Sequence, residues 1–470
     1  MKGDFSRDSF DPGKHFSRVL QQQGRVQLDA DGNEQGAILL HYLRTLAADL
    51  IGPFAGPEGS SGFAIMPSED NGFSIGPGRY YVDGILCENE KEDVTYMTQK
   101  DFPAPRELAT GTSYLVYLDV WERHITALED DDMREKALGG PDTASRTQVV
   151  WQVKIDDGQG HAPPLSMDCT TVREHWVTWI ARWQPPHLGC LRARVERPED
   201  SQDPCLTAPD AKYRGQENQL YRVEIHQGGA AGTATFKWSR DNGTVVSRVT
   251  LSGTELIAEK PLGFAARIWV ELSNDGQDLR GQPGMLVKLL KVEGDRLTLE
   301  QAVSKPADVP PDEAWPTKAR RWDQRQASSL IFQDGAVLLK EGVREADWIE
   351  LENGIQIQFL PANSDENHTN LYRTGDYWLI PARVATGNIE WPVKLDNEGQ
   401  PERDAHNEAI PIPQAPLGIR HHYAPLAILD ANGLPVADCR CVIPPLNSCS
   451  MRSFGEEGMG GRPLCDAADR

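Results

Sequence analysis

The chain has 470 residues, a length that suggests about three domains of roughly 150 residues each. Asp and Glu outnumber Lys and Arg by 70 to 48, and the net charge of −22 argues against nucleic acid and anionic membrane surfaces as general partners. A hydrophobic fraction of 39% is ordinary for a globular protein and too high for a disordered one.

The N-terminal segment contains no uninterrupted apolar stretch, and no later segment approaches the roughly 20 apolar residues of a membrane-spanning helix. We therefore expect synthesis in the cytoplasm without a signal peptide, and no insertion into a membrane. The eight cysteines are too few for a disulfide-rich scaffold, and the spacing of Cys87, Cys169, Cys190 and Cys205 matches no metal motif. We expect these thiols to be reduced.

One segment has a clear helical pattern. Apolar residues recur at helical spacing over residues 34–50, and Gly52 and Pro53 end the pattern. Asn33 or Asp31 is available as the N-cap. The sequence therefore predicts a single long helix that follows an N-terminal arm.

The rest of the chain predicts a mainly β protein, because Gly and Pro divide it into short runs with alternating apolar residues. Residues 112–121 and 149–155 are predicted to form two strands that pair with each other. Residues 76–78 are predicted to form a hairpin turn. The regular spacing of strands and turns is typical of a sandwich or small barrel.

The strongest short hairpin signal is Asp241, Asn242 and Gly243. Asn and Gly tolerate positive φ, as tight hairpin turns require. We predict that this turn joins strands at residues 233–238 and 244–251.

These patterns predict a mainly β, multidomain chain of β-sandwich or small β-barrel units behind an N-terminal arm and one helix. The predicted units are the arm, helix and β platform (1–105), a β domain with an irregular arm (106–215), a β-sandwich or barrel (216–310), a C-terminal β domain (311–440) and a tail (441–470).

Catalytic signatures are missing from the sequence. It contains no G-x-S-x-G, P-loop, G-x-G-x-x-G or H-E-x-x-H motif. Asp376 with Glu390, or Glu350 with Glu352, could serve as paired glycosidase carboxylates, but among 70 acidic residues such pairs arise by chance. We predict no catalytic residue and no bound cofactor.

Two clusters contain residue types that bind metal ions. His421 and His422 are adjacent in a predicted strand and therefore point to opposite faces. Cys439 and Cys441 could close a zinc site with the two cysteines that follow them, but their spacing is not C-x-x-C. We predict no metal site.

Three of the twelve tryptophans, Trp176, Trp179 and Trp183, have spacings of three and four residues. This spacing predicts one side of a short helix. Such a cluster could be either a domain anchor or an assembly contact.

Several long stretches together resemble one family of proteins of unknown function that are encoded in bacterial gene clusters for phage-tail-like contractile injection particles. The stretches are MKGDFSRDSFDPGKHFSRVLQQQGRVQLDADGNEQ, YLVYLDVWERHITALEDDDMREKALGGPDTASRTQVVWQVKI, ATFKWSRDNGTVVS, WVELSNDGQDLRGQPGMLVKL, YRTGDYWLIPARVATGNIEWP and GIRHHYAPLAIL. The resemblance extends to about residue 429. One departure is Gly32, where the family pattern has tryptophan.

The resemblance implies a structural component of such a particle, at its baseplate, as a cage, fibre or anchor subunit. Its partners would be other subunits of the particle and further copies of this chain. The particle itself would be either cytoplasmic or released from the cell.

The N-terminal arm is rich in Gly, Ser and charge and has a local excess of basic residues. Its apolar side chains are too few to form a core alone, so we expect the arm to become ordered against a neighbour. The predicted assembly residues are Phe5, Phe10, Phe16 and Arg18 in the arm, together with Trp176, Trp179 and Trp183.

Two alternative functions stay open at this stage. The first is a carbohydrate or cell-surface binding module, in which Tyr377, Trp378 and Trp391 line a shallow groove. The second is a cryptic hydrolase with scattered carboxylates. Exposed tryptophans would favour the first alternative, and a deep pocket with carboxylates of raised pKa would favour the second.

Overall fold

The computed structural model of the protein describes residues 1–68, 72–160, 167–185, 189–196, 212–326, 330–362, 369–404 and 407–444. Within these ranges the α-helices are α1 (Asp29–Ile51), α2 (Cys169–Glu174), α3 (Trp176–Trp183) and α4 (Asp275–Leu279). Single 3-10 turns lie at Pro12–Lys14, Tyr96–Thr98, Asp131–Met133, Lys136–Leu138 and Glu345–Asp347. None of the described helices is both long and apolar enough to span a membrane.

The strands dominate the structure, which confirms the mainly β prediction. In chain order they are β1 (Phe54–Pro57), β2 (Ile65–Pro67), β3 (Phe73–Ile75), β4 (Gly78–Val82), β5 (Ile85–Asn89), β6 (Tyr114–Ile125), β7 (Arg146–Asp156), β8 (Cys190–Val195), β9 (Gln219–Gln227), β10 (Gly229–Ala230), β11 (Thr235–Ser239), β12 (Val246–Ser252), β13 (Glu255–Ala258), β14 (Trp269–Ser273), β15 (Met285–Glu293), β16 (Arg296–Leu299), β17 (Lys318–Trp322), β18 (Phe332–Gln333), β19 (Ala336–Leu338), β20 (Ile349–Glu352), β21 (Ile355–Leu360), β22 (Leu371–Tyr372), β23 (Tyr377–Arg383), β24 (Asn388–Ile389), β25 (His422–Leu429), β26 (Pro435–Asp438) and β27 (Val442–Ile443).

The first sandwich combines two sheets of four strands, with orders β27-β1-β4-β5 and β26-β25-β6-β7. Their inner faces share one apolar core. Strands β6 and β7 pair antiparallel along their full length, so the pairing predicted between residues 112–121 and 149–155 is confirmed. Helices α2 and α3 pack beside the second of these sheets, around Leu115 and Ile428.

The second sandwich packs a six-stranded sheet, β18-β19-β11-β9-β23-β24, against a three-stranded sheet, β20-β21-β8. Phe236, Phe359 and Trp378 are among the buried residues between them. The third body is a closed barrel of strands β12-β13-β16-β15-β14-β17, with its own apolar interior. Sandwiches, a small barrel and an N-terminal helix are the architecture that the strand pattern predicts.

The three bodies are nested along the chain. The barrel spans β12 to β17, and strands of the second sandwich precede and follow it. Strands of the first sandwich in turn enclose both, because β25 pairs with β6 and β27 pairs with β1. The domain ranges expected from the sequence stay predictions, but the sheets draw strands from both sides of those boundaries.

Two turn predictions are wrong. Residues 241–243 do form a tight turn with positive φ at Asn242 and Gly243. However, β11 pairs with β9 and β19 while β12 belongs to the barrel, so the turn joins two bodies and not two strands of a hairpin. The segment 76–78 likewise separates β3 from β4, which do not pair; the hairpin is β4 with β5.

Helix α1 also begins earlier than the sequence predicts. Its first residue is Asp29, and the N-cap position is Leu28, whose side chain makes no capping bond. Neither Asn33 nor Asp31 is therefore the N-cap. The Asp29 carboxylate accepts hydrogen bonds from the backbone N and Oγ of Ser6, which ties the helix to the arm. Asp29 and Asp31 lie in the first turn, where the helix dipole favours negative charge.

Candidate functional site

A cavity of about 1100 Å³ lies where the two sandwiches, the barrel and α1 meet. We call it the central cavity. Its wall includes charged or polar residues from several elements, among them Arg44 of α1, His124 of β6, Glu224 of β9, Glu271 of β14 and Lys318 of β17. A concave site with converging polar groups is the first place to look for a function.

Strand β9 forms one wall of the central cavity, because its side chains alternate between the two faces of the sheet. Arg222, Glu224 and His226 project from one face, while the residues between them enter the core of the second sandwich. Lys237 projects beside them from the neighbouring strand β11. All four side chains are buried, with the residues no more than 7% exposed, because the barrel covers this face of the sheet.

Glu271 is fully satisfied by donors around it. Lys237 Nζ donates to Oε1 at 2.5 Å, and the backbone N of Gly284 donates to the same oxygen at 3.0 Å. Trp322 Nε1 donates to Oε2 at 2.8 Å. The Lys237 ammonium also lies 4.4 Å from the Trp322 ring centroid, a favourable cation–π contact.

Glu224 is held in the same way. Arg222 Nε donates to Oε2 at 2.6 Å, and Lys237 Nζ lies 3.4 Å from Oε1. The third cation is Lys2, whose Nζ lies 2.9 Å from Oε1. Lys2 comes from the N-terminal arm, so the network joins the arm, the second sandwich and the barrel.

The pKa values follow from these contacts. Burial alone would raise the pKa of both glutamates, but Lys2, Arg222 and Lys237 around Glu224, and Lys237 and Lys2 around Glu271, hold each pKa well below its usual range. Burial, with Lys237 nearby, lowers the pKa of His226 to about 4. Near neutral pH both carboxylates are therefore anions and His226 is uncharged, an arrangement that does not suit a general acid.

The start of the arm is inserted into this network. Asn242 Nδ2 donates to the carbonyl oxygens of Met1, at 3.0 Å, and Gly3, at 2.9 Å. Arg222 Nη1 donates to the Met1 carbonyl at 3.2 Å. The turn at residues 241–243 thus receives the arm between the second sandwich and the barrel.

The structure places the predicted assembly residues of the arm in two settings. Phe5 and Phe10 each contact an imidazole ring of the same chain, at centroid distances of 6.0 and 5.7 Å. Phe16 is 58% exposed, and Arg18 is exposed as well. The assembly role of all four stays a prediction, and Phe16 and Arg18 are the two that are available at the surface.

Three carboxylates form a second cluster at the edge of the cavity, and two of them, Glu129 and Asp278, line it. Glu129, Asp275 and Asp278 offer oxygens within 4.8 Å of one another. Lys318 Nζ donates to all three, at 3.2 Å to Glu129, at 2.8 Å to Asp275 and at short range to Asp278, while Arg123 also contacts Asp275 at 2.6 Å. Burial would lower the pKa of Lys318, but the three carboxylates outweigh it and raise that pKa. The ammonium thus lies where a cation would bind.

The two adjacent histidines contact different carboxylates, as their predicted opposite orientation requires. His421 Nδ1 lies 2.7 Å from Asp119 Oδ1, and His422 Nδ1 lies 2.8 Å from Asp83 Oδ2. They pair with acidic side chains of the same chain and do not converge on one point.

The helix predicted from the tryptophan spacing is confirmed as α3. Trp179 is completely buried, and Trp183 stacks on Tyr117 with 3.7 Å between ring centroids. Trp176 is half-buried and packs against both this cluster and the core of the first sandwich. Of the two roles weighed for the cluster, these contacts are those of an anchor; its use in assembly stays a prediction.

A disulfide joins Cys169 to Cys439, so the expectation of reduced thiols is wrong for this pair. The bond attaches α2 to the segment between β26 and β27 and removes Cys439 from any zinc site. Among the described cysteines, Cys87, Cys190 and Cys441 are free thiols. Cys205, Cys449 and Cys465 lie outside the described residues.

The carboxylates considered as glycosidase pairs contact arginine side chains. Asp376 contacts Arg373, and Glu390 contacts Arg383. Burial raises the pKa of Glu352, but Arg240 Nη2 donates to it at 2.9 Å, and it does not line the central cavity.

The groove expected for a carbohydrate module is not formed by Trp378, which is 2% exposed and lies in the core of the second sandwich. Its Nε1 donates to the carbonyl of Gln414 at 2.9 Å. Tyr377 faces the central cavity, where the Arg222 guanidinium lies 3.5 Å from its ring centroid. Trp391 is half-buried.

Sequence analysis missed the residues that form the charged network: Arg222, Glu224, His226, Lys237 and Glu271. Their signal is present, because charged residues alternate with apolar ones along β9. Alternation shows that these side chains point away from their own core. It does not show that a second body covers them.

A model of a protein family described as "Family of unknown function (DUF6519)" matches residues 1–171 and 164–458. Comparison with curated proteins gives no significant match, and neither does comparison with solved structures.

Proposed function

The chain belongs to DUF6519, a family of unknown function, and we propose that it is a structural subunit of a phage-tail-like contractile injection particle, associated with the baseplate. Its task in this proposal is to hold neighbouring subunits in place, without chemistry of its own.

The observation that supports a structural role is the way the charged groups in the wall of the central cavity pair with one another. Glu224 and Glu271 are neutralised by Lys2, Arg222 and Lys237, which come from the arm and the second sandwich. A catalytic pocket keeps reactive groups available to a substrate, whereas these groups bind one another across the arm, the second sandwich and the barrel. Ion pairs of this kind between parts of one chain suit a subunit that must keep its shape under force.

The more specific link, to contractile particles, is supported by the resemblance of the long stretches quoted above. It is tested by isolating contractile particles from cells that encode this chain and locating the chain in them by mass spectrometry and electron microscopy. We expect a fixed stoichiometry relative to the sheath and tube proteins. A chain that is expressed but never recovered with the particles would overturn the proposal.

The arm provides a sharper test of the same proposal. We expect the double change Phe16→Ala and Arg18→Ala to reduce incorporation into particles without changing the melting temperature, because both side chains are exposed. A matched control is Leu138→Ala, which removes another exposed apolar side chain far along the sequence. Equal incorporation of both variants would show that the arm is not part of the assembly surface.

A further inference from the structure

Helix α1 leaves most of its large apolar side chains uncovered. Leu39, Leu43, Leu46 and Leu50 are between 43% and 66% exposed, and Tyr42 is 64% exposed. Scattered surface leucines need no explanation, but a continuous apolar stripe on one helix marks an interaction surface. We call the four leucines the leucine seam.

The spacing within the leucine seam is four, three and four residues. This is the alternation of positions a and d in a heptad, which keeps an apolar stripe facing a partner helix along its length. A helix that only covers a globular core has a broader stripe that follows a period of 3.6 residues. The leucines therefore fit helix-to-helix packing.

The rest of α1 fixes the direction of the seam. Ala30 and Ile38 are buried, and Arg44 binds Glu122 through two hydrogen bonds of 2.9 and 2.8 Å. These residues occupy heptad positions b and c, on the side of the helix away from a and d. The contacts of α1 with its own chain thus hold the leucine seam towards the outside.

We propose that the leucine seam packs against the leucine seam of a second copy of this chain, as a short coiled-coil contact. The inference rests on the proposed structural role, because it supplies a contact by which subunits of one kind would associate. In the described parts of the chain, the other α-helices have at most eight residues. A helix with a matching seam is therefore found in a second copy.

The charges that flank the seam are compatible with a second copy. Copies with a net charge of −22 repel one another over most of their surfaces, but few of these charges lie beside the seam. The e and g positions that flank the seam select partners through their charges, and between Leu39 and Leu50 they are Leu40, Tyr42, Ala47 and Asp49. A single charge among the four gives little repulsion between identical helices and no complementary pattern for a different partner.

The contact is short, since the seam covers only about 17 Å of helix at 1.5 Å per residue. We therefore expect a dissociation constant on the order of 10 µM for the isolated chain, well above that of a large obligate interface. Repetition of the contact within an assembly would strengthen it by avidity.

The test is sedimentation velocity on the full chain, from about 1 µM to about 200 µM, a range that brackets the expected dissociation constant. We expect reversible self-association that disappears in the double variant Leu43→Glu, Leu46→Glu. The matched control is Val177→Glu with Leu262→Glu, which places the same charges at positions 80% and 86% exposed outside α1. Circular dichroism and melting should show all three proteins equally folded.

A second measurement identifies what binds to the leucine seam. Leu46→Cys should give covalent dimers with a short bis-maleimide linker, whereas Leu138→Cys, also exposed, should not. A chain that is monomeric throughout, or that associates equally well with the seam changed, would overturn the inference. So would association that is lost only when residues 445–470 are removed, because the tail would then be the occupant. Self-association without recovery in particles would contradict the proposed function alone.

Discussion

The central cavity and the leucine seam depart in opposite directions from the usual distribution of residues. The cavity buries glutamates, lysines and an arginine that are normally exposed, whereas α1 exposes leucines that are normally buried. In the cavity each buried charge has a partner of opposite sign in the same chain. In the described structure the seam leucines have no comparable apolar cover.

The charges of the central cavity already have their partners within the chain, whereas the leucine seam still lacks a covering surface. Burial of a charge is tolerated only when hydrogen bonds and opposite charges replace water, and the network around Glu224 and Glu271 meets that condition. A regular apolar stripe such as the leucine seam contributes to stability only when another surface covers it and removes it from water. Stability of the chain should therefore depend on the cavity, and association should depend on the seam.

The largest expected effect is on Glu271. Changing Glu271→Ala leaves Lys237 buried with Glu224 alone, 3.4 Å away and already shared with Lys2 and Arg222. It should lower the free energy of unfolding by about 3 to 5 kcal/mol in urea titrations. The double variant Lys237→Met, Glu271→Leu should recover most of this loss, because no unpaired buried charge remains. A loss below about 1 kcal/mol in the single variant would show that water already reaches this network.

The next effect is a dependence of stability on pH through His226. Its pKa is about 4 in the folded chain and about 6.5 in an unfolded one, so the unfolded state binds a proton first as the pH falls. Stability is therefore complete above pH 6.5 and should fall by on the order of 3 kcal/mol towards pH 4. The measurement is the urea midpoint at several pH values.

The His226→Asn variant should be less sensitive to pH across that window, while His15→Asn, at an exposed position, should follow the unchanged chain. A further loss of stability below about pH 4.5 should be seen in all three proteins, because the lysines and the arginine lower the pKa values of the buried glutamates and the unfolded chain therefore takes up protons first. Identical pH profiles would contradict a neutral buried His226.

A smaller effect is expected at Lys318. Removing the ammonium with Lys318→Ala leaves Glu129, Asp275 and Asp278 facing one another and should cost about 2 kcal/mol. Because carboxylate oxygens are the ligands that Ca²⁺ prefers, millimolar calcium should restore part of the melting temperature in this variant and not in the unchanged chain. No calcium effect would mean that Arg123 or water already compensates the cluster.

The smallest effect on stability is expected in the seam. Leu43→Glu should change the free energy of unfolding by less than about 0.5 kcal/mol, since the side chain is 59% exposed. The same substitution at Leu272, which is buried in the barrel, should prevent folding of that body. A large loss of stability in the Leu43 variant would show that the leucine seam packs against other residues of the same chain.

The sequence predicted the elements that depend on local pattern. Helical spacing located α1 and α3, and the apolar runs at 112–121 and 149–155 located β6 and β7. The start of α1 was missed because Asp29, three residues before Gly32, is held by Ser6 in the arm and not by a local cap.

Features that depend on distant contacts were not predicted. The turn at 241–243 has the residues of a hairpin, but β11 pairs instead with β9, which precedes it, and with β19, which lies far along the chain. The charged residues of β9 read as a solvent face because nothing in the local pattern reveals the barrel above them. The Cys169–Cys439 bond, with a separation of 270 residues, has no local signal either.

The nested order of the bodies also sets a sequence of events at the ribosome. The barrel is complete once β17 has emerged, whereas the first sandwich, which begins earliest, waits for β25 to pair with β6. One edge of β6 must therefore remain without its native partner while some three hundred further residues are translated. Chaperones that shield this edge of β6 would act longest on the chain during its synthesis.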